Sequence, residues 1–128
     1  MVDLARRMWA AAGPTPEVDE QLRSAVRGWY AADGLEKPHE PVYDRLGAIA
    51  VPAALLVGDL DHPPLVASNR AAAARIPGCE LVEVPGIDHL PPLRIPDRVI
   101  QLITDTLARQ QAWISATASY LAPRRSAP

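Results

Sequence analysis

A chain of 128 residues, 48% of them hydrophobic, is sized for one domain with a core of its own. Its 13 basic and 15 acidic residues are interspersed, for a formal net charge of -2, and form no basic stripe of the kind that marks a nucleic-acid surface. The single cysteine, Cys79, excludes an internal disulfide, and His39, His62 and His89 are too scattered for a zinc motif, so neither metal nor cofactor is expected.

The N-terminus offers a decoy. Arg6-Arg7 followed by Met8-Trp9-Ala10-Ala11-Ala12 superficially resembles a twin-arginine signal. The apolar stretch falls short of an h-region of about seven residues or more, and Gly13-Pro14 ends it. No run approaches the roughly 20 apolar residues of a membrane span. The chain therefore reads as soluble and, by default, cytoplasmic, with no membrane partner.

In chain order, Asp3 to Ala12 reads as a short helix, capped by Asp3 and closed by Gly13, with Leu4, Met8 and Ala12 on one stripe. Pro14-Thr15-Pro16 breaks it. Thr15 suits an N-cap and Pro16 the first helical position, and Val18, Leu22, Ala25, Val26 and Trp29 then recur at helical spacing up to Tyr30. Asp33-Gly34 and the segment Lys37 to Pro41 read as loop. After Gly47 the run Ile49 to Val57 is almost wholly apolar without alternation, as in a strand buried on both faces of a parallel sheet. Pro52, which lacks a ladder donor, belongs at that strand's start.

From Pro63 to Arg75 a helical face is traced by Leu65, Val66, Asn69, Ala72, Ala73 and Ile76, and Pro77-Gly78 stops it. Glu80 to Val84 is a second strand. Pro96 opens a last helix with Val99, Ile100, Ile103, Thr106 and Leu107 facing inward, continued from Gln110 to Leu121 by Trp113, Thr117 and Tyr120. Ala122 to Pro128 reads as a frayed tail. Strand, helix, strand, helix implies a right-handed parallel βαβα unit. Two parallel strands do not stand alone easily, and the first is too apolar for an open edge, so further strands are expected outside this chain or in a partner.

Chemistry concentrates after the two strands. Val57-Gly58-Asp59-Leu60-Asp61 and Pro85-Gly86-Ile87-Asp88-His89 both lie where open α/β sheets bind ligands, beyond the C-terminal strand ends. One crossover helix and one strand separate Asp61 from His89, so neighbouring parallel strands would bring the two tips together. A carboxylate there can accept the His89 Nδ1–H, fix the tautomer and stabilise an imidazolium. His89 can then shuttle a proton. Blander roles exist for each residue. Asp61 could simply cap the helix after it, and Asp59 and Asp88 read as turn residues, with the Asp88 side chain pointing away from the ring. His62 reads as a solvated loop histidine and His89 alone would be another. Cys79 falls at the wrong strand end and lacks an electropositive neighbourhood. Ser24 sits in a helix without flanking glycines, and the Met8 and Trp29 stripes read as core or lid surface. No Gly-rich phosphate loop and no Gly-x-Ser-x-Gly turn is present.

Leu46 to about Leu107 closely resembles the C-terminal part of the α/β-hydrolase superfamily. Arg45 to Pro63 looks like the family's approach to the catalytic acid, with its Gly-x-x-Asp on Gly58 and Asp61. That match selects Asp61 over Asp59. Arg75 to Val99 looks like the approach to the catalytic histidine, here His89. Met8 to Tyr30 is similar, more loosely, to the cap region of esterase-like members related to 3-oxoadipate enol-lactonases. The resemblance implies an α/β architecture: a partial hydrolase fold with a helical cap segment over 1–45, a core portion over 46–109, and a helix extension with tail over 110–128. It implies an enzyme class, serine-type ester or lactone hydrolysis of a small molecule, with His89 as base and Asp61 orienting it. Some members use an aspartate nucleophile on C–halogen or epoxide carbon instead. The family's first strands, oxyanion loop and nucleophile elbow are absent, as expected of a gene fragment or a late start codon, and the isolated chain is expected to be inactive. The competing expectations are a non-catalytic binding or assembly module, oligomeric through an open sheet edge, and one half of a split hydrolase.

Overall fold

In the computed structural model, residues 1–35 and 41–121 are described, with side-chain burial through residue 118. The loop expected at Lys37 to Glu40, the tail from Ala122 and the side chain of Tyr120 lie outside the described residues. The chain is mixed helix and sheet. Helix α1 spans Val2–Trp9 and α2 Pro16–Ala32; a 3-10 turn covers Tyr43–Ala48; β1 is Ala54–Gly58, α3 Pro63–Arg75, β2 Glu80–Val84, α4 Pro91–Arg94 and α5 Pro96–Leu121.

Local chemistry explains most boundaries. The Thr15 hydroxyl accepts from the Val18 N–H at 3.3 Å and Pro16 opens α2, as the sequence predicts. Helix α1 is capped differently. Met1 is its N-cap, and Asp3 sits inside the first turn, paired with Arg6 at 2.8 Å. The expected stripe of Leu4, Met8 and Ala12 is also displaced. Ala5 is buried, with Val2 and Trp9 packed beside it, whereas Leu4 and Ala12 are exposed. The small Ala5 lets α1 approach α2 closely, and that contact decides which face turns inward. Ala5, Ala10, Val18, Leu22 and Val26 form the core of this helical pair, and Leu90, from the loop after β2, packs onto it.

Strands β1 and β2 pair in parallel, in register from Ala54 opposite Glu80 to Gly58 opposite Val84. The expected strand from Ile49 begins only at Ala54, because the 3-10 turn takes up the residues before Ile49 and Pro52 cannot donate to a ladder. Only Val57 and Gly58 of β1 are buried; Ala54 to Leu56 are half-buried, because no strand of the described residues flanks β1 on its far side. Helix α3 follows its predicted face closely: Val66 and Ile76 are buried and Leu65, Asn69, Ala72 and Ala73 half-buried. Arg70 of α3 grips Glu83 of β2 with two hydrogen bonds, and Arg109 of α5 pairs with Glu80.

Helix α5 runs unbroken to Leu121, but its orientation differs from the expected one. Val99, Leu102 and Thr106 turn inward, while Ile100, Ile103 and Leu107 remain more than half exposed. At 26 residues α5 is about 39 Å long, against about 17 Å for either five-residue strand, so it overhangs the sheet. Among the described residues no helix is long and apolar enough to cross a membrane.

Candidate acid–base site

The two strands end beside one another, and hydrogen bonds beyond the sheet hold their loops together. Asp59 N–H donates to the Val84 carbonyl at 3.1 Å, Leu60 N–H to the Ile87 carbonyl at 3.0 Å, and Gly86 N–H to Asp59 Oδ1 at 2.7 Å. Asp59, read as a turn residue, therefore also clips one loop to the other. Gly86 adopts a left-handed φ of 73°, which a glycine takes without a Cβ penalty. Gly58 is needed for another reason. A Cβ there would collide with the Ile87 carbonyl and lie 2.8 Å from the Asp88 oxygen, so only glycine lets the two backbones cross this closely.

That crossing aligns Asp61 with His89. His89 Nδ1 lies 2.9 Å from Asp61 Oδ2. The other carboxylate oxygen, Oδ1, accepts the His62 backbone N–H at 2.7 Å. Asp61 is 8% exposed, whereas the His89 side chain is 43% exposed, so the pair has a buried anchor and an accessible end. Among the described residues His89 Nε2 has no hydrogen-bond partner. The capping alternative for Asp61 fails in its simple form: the N-cap of α3 is His62, with no side-chain cap. His62 itself is half-buried there rather than solvated. An imidazole held through Nδ1 by a buried carboxylate, with Nε2 open, is equipped to take up and return a proton.

Asp88 corrects the sequence reading. It is the most buried polar group of the site, with no exposed surface. Its oxygens accept from Arg94, from the Leu90 N–H at 3.1 Å and from the Ala12 N–H at 3.1 Å, and Arg94 also donates to the Gly13 carbonyl. Burial pushes the Asp88 carboxyl upward, but the Arg94 guanidinium and the two backbone donors outweigh it and hold the group below its ordinary value. Asp88 is thus an anchor that fixes the α1–α2 connection against the His89 loop, rather than the simple turn residue expected. Its only sequence signal was an Arg six residues later. Cys79 stands before β2, at the opposite strand end from His89, and burial pushes its thiol up. Ser24 is exposed on α2. Among the described residues no cluster of ligating side chains could hold a metal ion.

No known protein family, curated protein or solved structure matches this chain. The site's chemistry therefore rests on the geometry of its own residues.

A second surface adjoins the pair. Helices α1 and α2 pack beside the His89 loop and place the Trp9 ring 5.9 Å from the imidazole, while Trp29 meets Trp9 edge-on at 4.9 Å. Neither contact was legible as spacing, because the residues come from three separate segments.

Proposed function

We propose that this chain carries the acid–base half of an α/β-hydrolase acting on a small ester or lactone. Asp61 accepts the His89 Nδ1–H, which sets the tautomer and leaves Nε2 to deprotonate a nucleophile and later protonate the leaving group. Such general base work contributes about 10²–10⁴ in rate. The observation that carries the reading is the 2.9 Å Asp61–His89 contact at the C-terminal ends of two adjacent parallel strands. The resemblance supplies the rest: a serine from a Gly-x-Ser-x-Gly elbow as nucleophile, with attack on a carbonyl carbon. That element is missing from the sequence, so the nucleophile must come from another segment, encoded upstream or on a separate polypeptide.

The chain alone is expected to leave p-nitrophenyl esters unhydrolysed, since loss of a triad nucleophile alone can cost about 10⁶ in turnover. Co-expression with a neighbouring segment that carries the elbow should restore hydrolysis, and His89→Ala or Asp61→Asn should abolish it again. Brisk hydrolysis by the chain alone, surviving Cys79→Ala, would overturn the proposal, as would an inactive but stable co-expressed complex.

The second reading is an assembly module that keeps the surface without the chemistry. It is favoured by the edge of β1, which no strand among the described residues pairs, and by the exposed Ile100, Ile103 and Leu107 face of α5. A two-stranded sheet is marginal by itself, so both features are suited to added strands or a second subunit.

A further inference from the structure

We infer that the cavity between the α1–α2 pair and the His89 loop selects a neutral, flat apolar group, of the size of one aromatic ring with its ester linkage. The inference rests on the acid–base reading of Asp61 and His89, and it names the substrate class for that site. The cavity holds about 300 Å³. Trp9, Trp29, Leu22 and Leu90 supply its apolar walls, with Gln21 and His89 as polar groups.

Three features point to the occupant. The first is charge: no Asp, Glu, Lys or Arg lines the cavity. Arg94, the cation nearest His89 in sequence, is committed to Asp88 and the Gly13 carbonyl. A carboxylate that gave up hydration here would meet no Lys or Arg in return, whereas a neutral group gives up little. The second is shape. Two indole rings, Trp9 and Trp29, line the same cavity in edge-on contact with each other, and such aromatic surface packs well against another flat ring. The third is size. An enclosed apolar cavity of about 150 Å³ accepts benzene, so this more open groove of about 300 Å³ has room for one ring and a short linkage. His89 forms part of the wall, which brings whatever fills the cavity beside the proposed base.

Titration of the intact chain with methyl benzoate, followed by tryptophan fluorescence, tests the inference. Methyl benzoate should perturb the emission saturably, and benzoate should bind at least about tenfold more weakly, for lack of a counter-ion. Ala25→Phe fills the cavity from a half-buried position on α2 and should weaken methyl benzoate binding by a similar factor, with the helical circular dichroism retained. Ala25→Leu serves as the milder variant if the larger ring disturbs the fold. Equal binding of benzoate, no saturable change, or unaltered affinity in both Ala25 variants would overturn the inference. The readout is separable from the hydrolase reading. Selective binding without turnover by the co-expressed complex would sink the hydrolase reading alone. Turnover of esters with no preference for neutral aryl groups would sink the cavity assignment alone.

Discussion

Adjacent residues in the His89 loop do opposite jobs. His89 faces outward from a buried carboxylate, while Asp88 points into the interior and ties together three backbone segments through Arg94, Leu90 and Ala12. Removing Asp88 would strand the Arg94 guanidinium, whose side chain is only 11% exposed, and free two backbone donors. Asp88→Ala is therefore expected to cost about 3 kcal/mol or more of stability in urea denaturation; a cost near zero would show that the anchor is dispensable. The pH dependence follows in sign. The folded Asp88 carboxyl titrates below its ordinary value of 3.8, so its contribution is full above that pH and is lost as pH falls through the lower folded value. Asp88→Ala should flatten the acid limb of the stability curve. The sequence made Asp61 and His89 legible because each follows its own strand. Asp88 was not legible, since a buried anchor and a turn residue use the same side chain, and its partners at Ala12 and Gly13 lie far away in the chain.

At the scale of elements, the two strand-end loops bring Asp61 and His89 together because Gly58 lets them cross. Gly58→Ala puts a methyl group against the Ile87 carbonyl, backbone that cannot swing aside as a side chain can. The substitution is expected to cost about 1–3 kcal/mol, typical of overpacking, and to part Asp61 from His89. Nitrogen chemical shifts of the imidazole would report the parting as loss of the Nδ1–H tautomer; an unchanged tautomer would show that the loops tolerate the methyl group. Element boundaries were legible wherever a residue type enforces them. Thr15-Pro16 opens α2, Pro63 opens α3, and Pro77-Gly78 closes it, with Gly78 at a φ of 68°. The start of β1 was hidden because the apolar run Ile49 to Val57 carries no period that separates connector from strand. The facing of α5 was misread for a related reason. Two neighbouring stripes share the helix, and the more apolar one, through Ile100, Ile103 and Leu107, faces outward.

The outward stripe matters most for the molecule as a whole. A fully covered Ile or Leu contributes about 1.5–3 kcal/mol, so three such residues left in water, beside a strand edge that is open among the described residues, are a strong incentive to associate. The chain alone is expected to self-associate with concentration in sedimentation velocity, and Leu107→Glu should shift it toward monomer. A single monomeric boundary up to high micromolar concentration would show that this surface is tolerated in water. The α/β character of the strand–helix–strand part was legible, because its pattern is local. Which stripe of α5 is left exposed was not, since two apolar stripes share the helix and periodicity alone does not rank them.

The Asp88 anchor has a further outcome for how the molecule comes apart. The tether between the helical pair and the histidine loop is ionic; the Arg70–Glu83 and Arg109–Glu80 pairs on β2 are ionic too, but the strands are also held by backbone pairing that acid leaves untouched. Acidification should slacken the tryptophan-bearing wall before it dissolves the sheet, so near-ultraviolet dichroism would fade at a higher pH than the far-ultraviolet signal. Such a molecule would lose the proposed aryl-binding groove while still keeping its shape.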